Sequence, residues 1–311
     1  MNCCLYQLRF NTAVHFGGSD SALSLYSSEA NFRADTLFSA LCHTALQVSG
    51  PDGVEKLIGL VRQGALLLSD AMPWSGETFY IPKPCYAAGK APELPPEKRK
   101  AMKKLLWIPG NRLTEYCVAL NTGSLFDCQQ PVFGRMDEQA KAAIPEKGDT
   151  LPYPVGTYRF HENCGLYFFA ALENSRDVLW LTSLVEALGI TGIGGKVTAG
   201  YGKFSVVMRP AGAFRPLAAN ETAPAYLLLT TSLPGNKELD DALDGASFQL
   251  CRRAGFIAAN SKSPRKKQTQ YYLSAGAVLK KRFGGELYHV GDAPDHPVYR
   301  YSKPLFLGVP L

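Results

Sequence analysis

The sequence predicts an α+β fold in two domains. Three observations lead there. Short apolar runs of strand character alternate with two segments of helical periodicity in the first 210 residues. A Pro/Ala-rich segment at 210–223 separates them from a second set of strand-like runs. The length, 311 residues, exceeds the usual size of one domain.

The elements follow in order. Residues 3–10 (CCLYQLRF) read as a strand, followed by a polar, small-residue loop at 13–32. In ADTLFSALCHTALQV (34–48), Ala34, Leu37, Phe38, Leu41, Ala45 and Val48 recur at helical spacing. Asp35 or Thr36 is the expected cap, and Gly50-Pro51 the expected stop. A short helix at 53–63 and strands at 65–70 and 78–82 follow. GLYFFAAL (165–172) reads as an apolar strand, and 180–188 as a helix with Leu181, Leu184, Val185 and Leu188 on one face. FSVVM (204–208) closes the unit as a strand. With 83–164 set aside as a long insertion, the order is β-α-β-β-α-β. That is the ferredoxin-like order, whose sheet serves RNA-recognition modules. Residues 1–209 form the first such domain in this reading, 210–223 a linker, and 224–311 a second, degenerate one. The second domain's strands are expected at 224–232, 248–257 and 270–279, with a short helix at 237–243, and its end at 298–310 alternates aromatic, basic and apolar residues.

The segment TGIGGKVTAGYGKF (191–204) carries glycines at 192, 194, 195, 200 and 202, with Lys196, Tyr201 and Lys203 among them. Glycine admits positive φ and leaves no side chain between backbone and ligand. Successive N–H groups in such a loop make an anion-binding concavity. Lysine charge and a tyrosine stacking face suit a sugar–phosphate chain. Nucleotide-cofactor readings fail: Tyr201 stands where the P-loop lysine must be, and Val197 at the last position of GxGxxG. The order is also wrong, since here a helix precedes the loop and a strand follows it. The plain alternative is a glycine-rich connecting turn.

Basic residues cluster in the second half: Arg252 and Arg253, then Lys262, Arg265, Lys266 and Lys267, then Lys280, Lys281 and Arg282, with Tyr271 and Tyr272 between. Cations neutralise phosphates and rings stack on unpaired bases. Such a run is also compatible with a merely solvated loop. The net charge of +6 favours a polyanionic partner.

No catalytic set stands out. His15 and His43 are the candidates for general acid–base work in a metal-independent ribonuclease, but neither has an evident second group. The eight cysteines contain no CxxC pair, and the histidines lack ligand spacing, so no metal and no cofactor is expected. Scattered cysteines, the absence of a signal-peptide pattern and the absence of a membrane-length apolar run place the protein in the cytoplasm.

VHFG (14–17), RADTLFSALC (33–42), GIGGKVTAGYGKF (192–204), RKKQTQYYLSAGAVL (265–279) and HPVYRYSKPLFLGV (296–309) together resemble the RAMP superfamily of CRISPR systems. Within it, they resemble the subunit of the type III-A Csm effector complex that grips the 5′ end of the guide RNA. The resemblance spans nearly the whole chain. It implies two facing ferredoxin-like domains and binding of the repeat-derived 5′ tag of CRISPR RNA. It implies docking on the large polymerase-like subunit and on the backbone RAMP subunit, and so an indirect relation to target RNA. It implies no nuclease activity, and a β-hairpin thumb within about 110–160, with TYRF (157–160) as its returning strand. By position it assigns Gly192, Gly194, Gly195, Lys196, Gly200, Tyr201 and Gly202 to an RNA cradle, beside which the loop's other lysine, Lys203, is also expected to bind RNA. His15, Phe16, Arg33, Asp35, Thr36 and Ser39 line the same groove. The loop of Lys262, Arg265, Lys266 and Lys267 and the SAGAV turn, with Ser274 and Gly276, face it from the second domain, and Arg252 and Arg253 are expected to bind RNA as part of the basic cluster. Ala34 and Ala277 stand where the family commonly has Ser, which removes a hydroxyl at each place. The rival readings are a repeat endoribonuclease of the same superfamily using His43 or His15, the type III-B counterpart subunit, and a protein-docking module.

Overall fold

The computed structural model describes all residues except 19–23, 86–99, 101, 144–149, 215–221 and 258–264. Lys262 therefore lies outside the described residues.

The chain begins with strand β1 (Asn2–Phe10) and helix α1 (Ala34–Arg62). The helix is interrupted where expected: Gly50 leaves the helical region with φ 67° and ψ -162°, and Pro51 opens a second helical segment beyond this kink. Strands β2 (Leu66–Leu68), β3 (Met72–Ser75), β4 (Thr78–Pro82) and β5 (Trp107–Pro109) follow, then helix α2 (Leu113–Thr122). Strands β6 (Gly134–Ala143) and β7 (Leu151–Phe160) pair along their whole length as an antiparallel hairpin. Strand β8 (Cys164–Leu172), helix α3 (Ser175–Thr191) and strand β9 (Phe204–Pro210) complete the first half. Helix α3 starts before the expected residue 180 because Asn174 caps it, its Oδ1 accepting the Arg176 amide at 2.8 Å.

The principal sheet is antiparallel throughout. Strand β8 pairs β1 on one side and both β2 and β3 on the other, β9 pairs the outer edge of β1, and β4 and β5 extend the far edge. All nine residues of β8 are buried because both faces of the sheet are covered. Leu166, Phe168, Ala170 and Leu172 join β1 residues Tyr6 and Leu8 under helices α1 and α3. Tyr167, Phe169 and Ala171 point the other way, into a core shared with α2.

The second half supplies strand β10 (Ala225–Leu228), the five-residue helix α4 (Leu239–Leu243), and strands β11 (Leu250–Arg253), β12 (Gln270–Leu273), β13 (Val278–Leu279), β14 (Leu287–Asp292), β15 (Pro297–Tyr301) and β16 (Phe306–Val309). Strand β10 lies between β13 and β16, while β11–β12 and β14–β15 are separate antiparallel pairs. The two halves share their cores. Ala225, Leu227, Leu307 and Val309 pack with Phe169 and Ala171. Tyr301 enters the helical core beside Phe38, and its hydroxyl accepts the Leu68 amide at 2.7 Å. No helix among the described residues is long and apolar enough to cross a membrane.

Candidate nucleic-acid interface

Helix α1 begins at a junction of the two halves. The expected capping by Asp35 or Thr36 is not what the structure contains. Arg33 occupies the cap position but its side chain makes no capping bond, and the Ala34 amide donates to Asp70 Oδ1 at 2.9 Å. Asp70 also accepts the Thr231 amide at 3.0 Å and the Thr231 hydroxyl at 2.6 Å. One buried carboxylate thus joins the first turn of α1 to the strand end after β10. Burial pushes its pKa up, against the hydrogen bonds from Thr231 and Ala34.

Asp35 is thereby released for a tertiary contact: its side chain, 11% exposed, is paired with Arg253. Arg300 stands nearby, its Nε 3.8 Å from Asp35 Oδ2. Arg300 itself is 4% exposed and donates to the carbonyls of Arg253 and Gln268 and to Gln270 Oε1.

The glycine loop between α3 and β9 has positive φ at Gly192, Gly194, Gly200 and Gly202, and also at Lys196. A Cβ on Gly194 would stand 2.7 Å from the His15 carbonyl, and one on Gly195 2.6 Å from the His15 ring. The loop lies tight on the 13–16 segment, with the Gly195 amide donating to His15 O at 2.8 Å and Gly202 to Ala13 O at 2.9 Å. Among the described residues, the amides of Gly194, Lys196, Val197 and Thr198 donate to no partner.

Loop, helix and second half enclose a groove of about 610 Å³. Of the predicted residues it brings together His15, Phe16, Arg33, Asp35, Thr36, Ser39, Gly192, Gly194, Gly195, Arg253 and Lys267. Four of its lining residues are cations (Arg33, Arg253, Lys267, Arg300) against two carboxylates (Glu29, Asp35). Arg33 bonds Glu29 at 2.9 Å and Arg253 bonds Asp35. The Lys267 amide donates to the Gly255 carbonyl at 2.9 Å, but its ammonium makes no hydrogen bond or ion pair with a described residue. Burial draws its pKa down, with Asp35 opposing and Arg300 and Arg253 adding to the effect. His43 also lines the groove and is exposed. Partial desolvation lowers its pKa, with Lys267 and His296 adding to it, so the ring is neutral at pH 7.

Other predicted residues lie elsewhere. Tyr201 presents no stacking face. Its ring is buried with Ala13 and Val155, covered by Lys141 at 5.0 Å, and its hydroxyl donates to Gln139 Oε1. Lys196 leans onto the Tyr153 ring at 5.1 Å, on the hairpin side of the loop. Gly200, Gly202 and Lys203 are also outside the groove lining. His15 is buried, its Nδ1–H donating to the Gly156 carbonyl at 2.6 Å, so it binds the hairpin to the groove floor. Phe16 is a core ring against Phe10 and Phe32 as well as a groove residue. Arg252 points away with Tyr271, its cross-strand partner. Arg265 and Lys266 are exposed and do not line the groove. The expected placement of Ser274 and Gly276 on the groove is corrected. Their turn packs on the first half near Pro82 and Lys83, with Gly276 O accepting the Cys85 amide at 2.7 Å.

The sequence reading missed Glu29, Gln47, Tyr299 and Arg300 in the groove. Arg300 and Tyr299 sit within the VYRY run, and only the fold brings that run against α1. Among the described residues no group of three or more His, Cys, Asp or Glu side chains is arranged to hold a metal ion.

Comparison with known proteins agrees with this architecture. The family model for the CRISPR Csm4 C-terminal domain matches residues 221–309. The CRISPR system Cms protein Csm4 of Mycobacterium tuberculosis (strain CDC 1551 / Oshkosh) is 35% identical over 314 residues, covering 100% of this chain and 99% of the relative. A chain of the Csm3-Csm4 subcomplex in the type III-A CRISPR-Cas interference complex superposes with a TM-score of 0.63 at 16% identity, over 99% of both chains. A chain of the Csm1-Csm4 cassette in complex with pppApA gives 0.62 at 18% identity, over 99% of this chain and 98% of that one. These two likenesses show the fold. The matches place the chain among the proteins of CRISPR systems. More narrowly, it belongs to the Csm4 family.

Proposed function

We propose that this chain is a non-catalytic RNA-binding subunit of a type III-A interference complex, holding the repeat-derived 5′ tag of CRISPR RNA in the groove beside α1. The observation that carries the reading is the pairing, in one groove, of a glycine backbone with unsatisfied amides and an ammonium, that of Lys267, which makes no hydrogen bond or ion pair with a described residue. Both are complementary to phosphate oxygens. In this reading the first half, with its β9-β1-β8-β2/β3 order, is one ferredoxin-like domain and the second half a degenerate one. The β6–β7 hairpin is the thumb, anchored at the groove by His15–Gly156 and at the glycine loop by Tyr201–Gln139. The chain docks on the large polymerase-like subunit and on the backbone subunit. Support comes from the solved Csm1-Csm4 and Csm3-Csm4 assemblies that hold chains of this fold.

The endoribonuclease reading has less behind it. His15 Nδ1 is engaged by a backbone carbonyl, and His43 has no hydrogen-bond partner among the described residues to orient it. The test follows binding and cleavage together, without divalent metal, on an RNA carrying the 5′ tag. RNA that stays intact, bound by wild type and weakened by Lys267→Ala, supports the proposal. RNA cut by wild type and spared by His43→Ala overturns it.

A further inference from the structure

The groove is lined by two kinds of chemistry, and only one of them suits phosphate. Helix α1 contributes Ser39, His43 and Gln47, four residues apart and all before the Gly50 kink. None of the three side chains has a hydrogen-bond partner among the described residues. Their neighbour Thr44 differs, since its hydroxyl is spent on the Ala40 carbonyl at 3.1 Å. The three are neutral, and each offers both a donor and an acceptor. A phosphate only accepts, so an acceptor lone pair facing it is wasted. Base edges carry donors and acceptors together, and neutral amides and imidazoles match them.

Resting on the RNA-binding reading, we infer that Ser39, His43 and Gln47 form a base-reading ladder along α1 and set the sequence preference of the groove. Their spacing adds to the chemistry. Four helical residues rise about 6 Å, whereas stacked nucleotides in one strand repeat at about 3.4 Å. The rungs therefore fit an extended strand with splayed bases, one base to a rung, and misfit a stacked one. Lys267 and the loop amides hold the backbone, and the ladder reads what the backbone presents.

A pool of short RNAs randomised at every position, partitioned on the full-length chain, tests this without knowing the preferred sequence. Wild type enriches defined bases at neighbouring positions. His43→Ala and Gln47→Ala each flatten a different position, and each weakens the selected RNA roughly ten-fold relative to the starting pool. Alanine favours the helix, so both variants keep α1 intact. Lys267→Ala weakens selected and unselected RNA alike and leaves the enriched sequence as it was. Enrichment that survives both α1 substitutions unchanged overturns the ladder while leaving RNA binding in place, as does a wild type that binds the pool with no base preference. A wild type that fails to bind the pool at all removes the RNA-binding reading, and the ladder with it.

Discussion

Arg253 grips Asp35 through two hydrogen bonds, Nε to Oδ2 at 2.9 Å and Nη2 to Oδ1 at 2.7 Å, joining residues 218 positions apart in the chain. The pair closes the groove between the two halves. Burial opposes ionisation of Asp35, but the charges of Arg253, Arg300 and Arg33 overcome it and hold the carboxyl below its ordinary value of 3.8. A carboxylate with a depressed folded pKa stabilises the fold fully above its unfolded pKa, and the contribution is lost as pH falls through the folded one. Asp35→Asn leaves a largely desolvated guanidinium, 13% exposed, without its counter-charge and should cost about 3 kcal/mol at pH 7. Urea unfolding should show the gap between wild type and Asp35→Asn holding from pH 7 down to the ordinary carboxylate range and narrowing below it. A gap that does not change with pH would mean the pair's charge is irrelevant.

The groove's cations divide by availability. Arg253 and Arg33 are already paired, and Arg300 is buried among carbonyls, so Lys267 carries most of the free charge. Lys267→Ala should reduce the slope of log K against log salt by about one, without loss of stability. Arg253→Ala should act chiefly on stability. Titrations of labelled RNA at several salt concentrations separate the two, and an unchanged slope for Lys267→Ala would remove this lysine from the phosphate contacts.

Much of the frame was legible because burial leaves a plain signature. Strand β8 reads as unbroken apolar residues since both its faces are covered, and α1 and α3 show their stripes from Leu37 to Leu41 and from Leu181 to Leu188. Helix α2 was missed although Leu113, Tyr116, Cys117 and Leu120 carry the period and Gly123 takes the left-handed stop. Its signal spans only ten residues. Single-residue roles were harder to read because they were decided at long range. Asp35 satisfies the local rule for a cap, yet Asp70 reaches the same amide from 36 residues away. Tyr201 has the composition of a stacking residue, but a hairpin some sixty positions earlier covers it.

Two glycines of the loop should respond differently to alanine. Both take positive φ, 87° at Gly200 and 73° at Gly202. A Cβ on Gly200 meets nothing within 4 Å, so Gly200→Ala carries only backbone strain, about 1–2 kcal/mol. On Gly202 a Cβ would collide with the Ile193 carbonyl, and that backbone cannot yield without breaking the Ile193 amide's 3.0 Å bond to Gly202 O. Gly202→Ala should therefore cost at least about 3 kcal/mol. Thermal melts of the two variants test the ordering, and equal losses would show that the loop relaxes freely.

The last prediction concerns the hairpin. Tyr201 ties the glycine loop to β6 through Gln139, Lys141 and Lys196 cover rings from opposite partners, and His15 holds β7 at Gly156. Tyr201→Phe keeps the buried ring and removes only the hydroxyl, so global stability should fall by about 1 kcal/mol. The greater effect should be local. Among the described residues, strands β6 and β7 pair with each other alone, and β7 is tied further by the bridge from Val14 to Tyr158 and by the Gly156 amide donating to Leu25 O at 2.9 Å. Losing the Gln139 contact therefore frees the mid-hairpin while leaving its base held. Amide exchange along 136–142 and 151–155 should quicken several-fold in Tyr201→Phe, while exchange at β1 and β8 stays at the wild-type rate. Uniform acceleration across the sheet would show instead that the hydroxyl supports the whole fold and not the hairpin's attachment to the loop.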